Sequence, residues 1–170
     1  TTPLPPGARS ETYASDKLAL VMRRDHPMAK NKWTIEDYGR WPQVGISIIG
    51  DAGSDMDAQL ARVGVHRRMA LVTPSFMGAV AAVAQTDMVT TISRVFAQKF
   101  ADPFDLILKE PPLPETRLDL TVVWSHVRAA DPVLAWVRGV IRDAARETMD
   151  IGPSGRFPAG RKGSKTPARN

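Results

Sequence analysis

Short apolar runs alternate along the chain with stretches in which apolar residues recur every three or four positions. The first pattern is typical of buried strands and the second of amphipathic helices. Six runs are predicted as strands: Lys17–Met22, Gln43–Ile49, Arg68–Thr73, Asp87–Ile92, Leu106–Lys109 and Leu118–Trp124. Five stretches are predicted as helices: Ile35–Arg40, Met56–Val63, Phe76–Ala84, Arg94–Phe100 and Pro132–Arg146.

The regular alternation of strand and helix between about residues 43 and 109 predicts the type of sheet. Helical connections between successive strands favour right-handed crossovers, which give a mostly parallel α/β sheet with helices on both faces. In such sheets, ligands bind beyond the carboxyl ends of the strands, beside helix N-termini. We therefore expect a binding site among the loops Ser47–Ser54, Thr73–Met77 and Ile92–Arg94.

Composition and charge narrow the class of protein. The 170 residues are 43% hydrophobic and 24% charged, which is typical of a folded domain, and the absence of cysteine excludes thiol nucleophiles and cysteine metal sites. No apolar run approaches the roughly 20 residues that cross a membrane, and no signal-peptide pattern is present, so a cytoplasmic location without a membrane partner is predicted. The net charge of +5 comes from residues 151–170, which hold five basic residues and no acidic one.

The segment Leu71–Met77 (LVTPSFM) carries the clearest candidate binding chemistry. A predicted strand ends at Thr73, directly before a helix that begins around Pro74 and Ser75. Free backbone N–H groups at a helix N-terminus, beside two hydroxyl groups, suit a carboxylate or phenolate, and Phe76 offers an aromatic wall. The same pattern also fits a threonine that only caps the helix and a phenylalanine that belongs to the core.

Other candidate residues give weaker signals. Ser93 ends a second strand, in the sequence Thr90–Ser93, and fits either a ligand contact or a plain helix N-cap. The three histidines share no metal-ligand spacing, and His26 before Pro27 fits a turn. Ser47 lacks the following glycine of a nucleophile elbow. No catalytic residue, metal site or cofactor is predicted, and the residues alone indicate an α/β ligand-binding domain.

Several motifs follow one another in a characteristic order. They are Asp25-His26-Pro27-Met28-Ala29 after a strand, Gly64–Arg68 leading into Met69–Phe76, then Ala84–Ile92, and finally Leu120–Trp124 followed by Arg128, Asp131-Pro132 and Trp136-Val137-Arg138. In this order and spacing, the chain resembles the effector-binding domain of LysR-type transcriptional regulators, from about Leu4 to Glu147. It is most similar to the branch that answers to aromatic acids, nitroaromatics and flavonoids.

The resemblance implies a two-lobed fold like that of type II periplasmic binding proteins, with an effector held between the lobes. It divides the chain into an extended lead-in (1–16), a complete second lobe that binds the effector (17–110), the returning strand and helix of a partial first lobe (111–150) and a disordered basic tail (151–170). By position, Thr73, Pro74, Ser75 and Phe76 would line the second lobe's side of the cleft. Ser93, where this branch usually has proline, would lie on the neighbouring turn, and His26 near the hinge.

The resemblance also implies partners. The winged helix-turn-helix, the linker helix and the opening elements of the first lobe have no counterpart here, so we expect an N-terminally truncated regulator that senses a small aromatic or carboxylate effector. It would contact DNA only through the missing winged helix-turn-helix. The Leu118–Trp124 strand would then lack its first-lobe neighbours, which favours self-association through first-lobe elements. The alternatives are a solute-binding protein of related fold, an enzyme on such a scaffold and an oligomerisation module.

Overall fold

A computed structural model describes residues 4–47, 55–113 and 117–149 of the chain. The strands are β1 (Ala8–Arg23), β2 (Pro42–Ile46), β3 (Arg68–Thr73), β4 (Thr90–Ser93), β5 (Leu106–Lys109) and β6 (Arg117–Ser125). The helices are α1 (Asp37–Arg40), α2 (Asp55–Arg62), α3 (Phe76–Ala84), α4 (Arg94–Ala101) and α5 (Pro132–Met149). Each predicted strand and helix is present; β3, β5 and α3 have the predicted ends, and the ends of the others are shifted. The predicted end of β2 at Ile49 and the basic tail of residues 151–170 lie outside the described residues.

Strand β1 is 16 residues long and changes partners along its length. Its first part pairs antiparallel with β6, from Ala8 opposite Ser125 to Lys17 opposite Arg117. Its second part, from Leu18 onward, lies between β4 and β5 and runs antiparallel to both. We call the pairing with β6 the small sheet, and the part of β1 from Leu18 together with β2, β3, β4 and β5 the large sheet.

The expected lead-in and the expected unpaired strand are both corrected by this pairing. Residues 8–16 belong to β1, and Leu118–Trp124 finds its partner there. Residues 9–12 are all exposed, so this part of the strand shows no alternation of apolar and polar side chains to reveal it. The predicted boundary after residue 16 falls one residue before β1 changes partners.

The large sheet is mostly parallel, as predicted. Strands β2 and β3 pair parallel, and a parallel bridge between Gln43 and Val89 places β2 beside the start of β4. The order is therefore β3-β2-β4-β1-β5. Since β4 and β5 are both antiparallel to β1, four of the five strands share one direction and β1 alone runs against them.

Helices cover both faces of the large sheet. Because alternate residues of β1 point to opposite sides, this strand contributes side chains to the packing on both faces. Ala19 and Val21 pack with the buried side chains of α3 and α4, whereas Leu20 and Met22 pack with Trp33, Tyr38 and Leu60. All four β1 side chains are fully buried. A fully buried aliphatic side chain contributes roughly 1.5–3 kcal/mol, so these two layers hold the large sheet together.

The small sheet packs against α5 through cation–π contacts between arginine side chains of the helix and aromatic rings of the sheet. The guanidinium carbon of Arg138 lies 4.6 Å from the ring centroid of Trp124, and that of Arg142 lies 5.0 Å from the ring of Tyr13. Arg142 also forms an ion pair with Glu11 at 3.0 Å. The helix therefore presents arginines to the sheet, whereas its Val133, Trp136 and Val140 are exposed.

Candidate functional site

The carboxyl ends of β2, β3 and β4 meet along one edge of the large sheet. The backbone N–H of Ser47, directly after β2, donates to the carbonyl oxygen of Thr73 at the end of β3, at 3.1 Å. Helices α3 and α4 both begin at this edge, and the rings of Phe76 and Phe96 in their first turns have centroids 5.1 Å apart. We call this region the strand-end edge. It brings the Thr73–Phe76 segment close to the turn that contains Ser93.

Among the described residues, hydroxyl groups alone cap the N-terminus of α3. Ser75 has an extended backbone (φ −129°, ψ 131°), and its Oγ accepts a hydrogen bond from the N–H of Gly78 at 3.3 Å. The N–H of Ser75 in turn donates to Oγ1 of Thr73 at 3.3 Å. Within the described residues, the N–H groups of Phe76 and Met77 make no hydrogen bond. An anion could accept hydrogen bonds from these two N–H groups.

This N-terminus is open to solvent. Pro74 and Ser75 are exposed, Thr73 is half-buried, and the exposed fractions of Phe76 and Met77 are 39% and 38%. Exposed aromatic surface beside free donors is the combination that suits an aromatic acid.

The sequence-based prediction missed the importance of Gly78 at this turn. A Cβ atom added to Gly78 would lie 2.6 Å from Oγ1 of Thr73. Only glycine therefore lets the threonine hydroxyl lie against the first turn of α3, where it accepts the hydrogen bond from Ser75.

The N-terminus of α4 is occupied by a carboxylate from β1. Oδ2 of Asp16 accepts hydrogen bonds from Oγ of Ser93 at 2.5 Å and from the N–H of Val95 at 3.1 Å. Ser93 Oγ also accepts from the N–H of Phe96 at 3.1 Å. Both the donor and an acceptor position of this hydroxyl are thus used inside the protein. Ser93 lies at the expected turn, but its hydroxyl points inward. The residue as a whole is only 9% exposed.

His26 does not lie at the strand-end edge. It follows the carboxyl end of β1, and its Nε2 lies 3.1 Å from the carbonyl oxygen of Asp87, which precedes β4, whereas Ser93 ends β4. Its Nδ1 accepts from the N–H of Met28 at 3.0 Å, so Nε2 carries the proton and donates to Asp87. Burial lowers the pKa of the imidazole. Both ring nitrogens therefore hold the turn after β1, and the expected position near the hinge stays a prediction.

The described residues also line concavities elsewhere on the protein. Two open concavities are lined by Arg23 with Thr86 and Asp87, and by Trp41 with Arg68, and neither includes the Thr73–Phe76 segment. In the described ranges, no three metal-ligating side chains come together. No helix there is long and apolar enough to cross a membrane.

Comparisons with known proteins agree with the fold. The family model described as "LysR substrate binding domain" matches residues 1–146. The transcriptional activator NagR of Ralstonia sp is 28% identical over 122 residues, covering 72% of this chain and 40% of NagR. The regulator SyrM of Rhizobium meliloti is 29% identical over 139 residues, covering 81% of this chain and 42% of SyrM. The chain thus spans about two fifths of the curated relatives it matches.

Solved structures give the same fold. The regulatory domain of MexT, a transcriptional activator of Pseudomonas aeruginosa, has a TM-score of 0.72 and 26% identity and covers 84% of this chain, which in turn spans 68% of that domain. The effector-binding domain of QuiR, solved in complex with shikimate, has a TM-score of 0.68 but only 11% identity; the match covers 83% of this chain and 66% of QuiR's. At that identity, the likeness concerns the fold alone.

Proposed function

This chain belongs to the LysR substrate-binding domain family, and from that membership we propose that it is the effector-sensing part of a transcriptional regulator. The N-terminal turn of α3 binds the anionic group of a small aromatic or carboxylate effector. Effector binding then alters how the intact regulator acts at its DNA. The DNA contacts themselves belong to a winged helix-turn-helix that has no counterpart among the elements described above.

One observation carries the proposal. The N–H groups of Phe76 and Met77, which make no hydrogen bond to the described residues, lie at an exposed helix N-terminus, beside the hydroxyls of Thr73 and Ser75 and the exposed ring of Phe76. Such donors bind carboxylates, and the helix dipole adds roughly 0.3–1 kcal/mol at an exposed end. QuiR, with the same fold, holds shikimate, which is a ring carboxylic acid.

The residues proposed for binding are Thr73, Pro74, Ser75 and Phe76. Phe76 supplies a ring that stacks on the effector while Phe96 supports it from behind, at 5.1 Å between centroids. Ser93 acts indirectly, since its hydroxyl caps α4 and so positions Phe96. His26, at the opposite end of β4 from Ser93, is not part of this proposed set.

The test is a titration followed by amide chemical shifts, with salicylate as the probe and salicylamide as its uncharged counterpart. We expect salicylate to shift the amides of Phe76 and Met77 and to bind more tightly than salicylamide. Phe76→Leu should weaken salicylate binding about threefold to tenfold, the range expected for one aromatic contact. Phe104→Leu, in the same row of stacked rings but at its far end, serves as the control. Shifts confined to other residues would refute this site.

A second proposed function is self-association through first-lobe elements. It is supported by large exposed apolar side chains on α5, with Val133 exposed by 65% and Trp136 by 69%, since apolar patches of this kind mark interaction surfaces. Val133→Asp should then shift sedimentation toward the monomer. Val63→Asp, at an equally exposed valine of 57% near α2, should not. Equal sedimentation of all three proteins across concentrations would exclude this interface.

A further inference from the structure

Asp16 is a buried carboxylate at the point where β1 changes partners. The last pair with β6 is Lys17 opposite Arg117, and the first pair with β4 is Leu18 opposite Ser93. Asp16 is only 6% exposed, and no ion pair joins it to a cation within the described part of the chain. Burying a charge without an ion pair is costly, so the hydrogen bonds at the N-terminus of α4 must compensate for it.

The groups that cap the two helices at the strand-end edge therefore differ in charge. In the part of the chain that the structure describes, only neutral hydroxyls cap α3, whereas α4 has the carboxylate of Asp16 at 3.1 Å from the N–H of Val95 and 2.5 Å from Oγ of Ser93. An anion that approached the first turn of α4 would meet a carboxylate that already uses its donors. The same anion meets no such charge among the cap contacts of α3.

We propose that Asp16 is a specificity-determining residue of the strand-end edge: its carboxylate fills the N-terminus of α4 as a built-in anion and confines an anionic effector to the N-terminus of α3. The part about the effector rests on the proposed function. The part about α4 does not, because it concerns only whether Asp16 occupies an anion site.

The first experiment tests the built-in anion without any effector. Asp16→Ala removes the carboxylate and leaves room for formate, which is the group that was removed. We expect formate to shift the amides of Val95 and Phe96 of this variant along a saturable curve and to raise its melting temperature. Asp119→Ala is the matched control, because Asp119 accepts a hydrogen bond from Ser15 at 2.7 Å in the small sheet, away from any helix N-terminus. Asp119→Ala and the unchanged chain should show neither effect.

The second experiment compares salicylate with salicylamide in the unchanged chain, Asp16→Asn and Asp119→Asn. Asparagine keeps the shape and an acceptor oxygen, so this variant serves even if Asp16→Ala does not fold. Removing one nearby negative charge should strengthen salicylate binding about threefold to tenfold, a screened Coulomb effect, and leave salicylamide unchanged. A merely structural role would alter both ligands alike.

The outcomes separate the two proposals. Saturable formate shifts at Val95 and Phe96 in the unchanged chain would overturn the role of Asp16, and so would an Asp16→Asn variant with an unaltered preference for salicylate. If salicylate leaves Phe76 and Met77 unmoved while formate still binds the Asp16→Ala variant, the proposed function fails and the built-in anion stands.

Discussion

Substituting Gly78 by alanine tests the geometry of the candidate binding turn directly. The added Cβ would lie 2.6 Å from Oγ1 of Thr73 and 3.7 Å from Cβ of Ser75. The second distance is an ordinary contact, but the first is closer than real Cβ atoms come. Thr73 is β-branched at the end of β3, so its hydroxyl has few rotamers in which to retreat.

The magnitude follows from two opposing terms. Forcing one extra carbon into a well-packed place costs typically about 1–3 kcal/mol, while alanine is favoured over glycine inside a helix by about 0.8–1 kcal/mol. Because Gly78 lies in the first turn, where the helical gain is smallest, we expect Gly78→Ala to lower the free energy of unfolding by about 1–2 kcal/mol. Thr73→Ala removes the obstructing oxygen, so the double variant should regain most of this loss.

Urea denaturation of the four proteins in this cycle measures the coupling between the two positions. Gly139→Ala is the matched control, since an added Cβ there meets nothing within 4 Å; it lies inside α5 and should gain about 0.5–1 kcal/mol. If Gly78→Ala is as stable as Gly139→Ala, or if Thr73→Ala brings no recovery, the close packing of Thr73 on α3 is refuted.

Three further outcomes follow from the burial of His26 and from two hydrogen bonds. Burial lowers the pKa of His26 below 6.5, so the folded protein binds fewer protons than the unfolded chain; its contribution to stability is complete above pH 6.5 and declines as the pH falls below that value. Urea midpoints between pH 7.5 and 5.5 should show this decline, and His26→Gln should flatten it. Ser93→Ala should cost about 2–3 kcal/mol, because it removes a cap and leaves Asp16 with one donor fewer; a loss below 0.5 kcal/mol, on the scale of a surface substitution, would contradict the network. Tyr38→Phe should cost about 1 kcal/mol through its hydrogen bond to Thr91 at 3.3 Å, and an unchanged urea midpoint would exclude that bond.

Much of the fold was predictable because burial of one face of a strand or helix requires apolar residues at a regular spacing in the sequence. The apolar run of Lys17–Met22 predicts a buried strand, and the small apolar residues of α3 predict a buried helix. Both predictions are confirmed. The beginning of β1 was not predictable, since the side chains of residues 9–12 are exposed on both faces of the strand and show no alternation of apolar and polar positions. Its partner β6 lies more than 100 residues further along the chain.

The candidate site was predictable only where its parts are neighbours in sequence. Thr73, Pro74, Ser75 and Phe76 are consecutive, and strand-end chemistry alone predicts a helix N-cap there, which the structure has at Ser75. The contact between Asp16 and Ser93 spans 77 residues. No local pattern could therefore reveal that the hydroxyl of Ser93 is already used, or that His26 is held by a carbonyl 61 residues away.

The uninterrupted course of β1 has a mechanical consequence. Since a single backbone runs from the pairing with β6 into the pairing with β4 and β5, any rotation of one sheet against the other must be absorbed as torsion within that backbone. The irregularity between Thr12 and Ala14 is a break in its regular pleat, and such bulges increase local twist. The small and large sheets are thus joined by one continuous strand, and the stiffness of a few residues of β1 limits how far one sheet can rotate against the other.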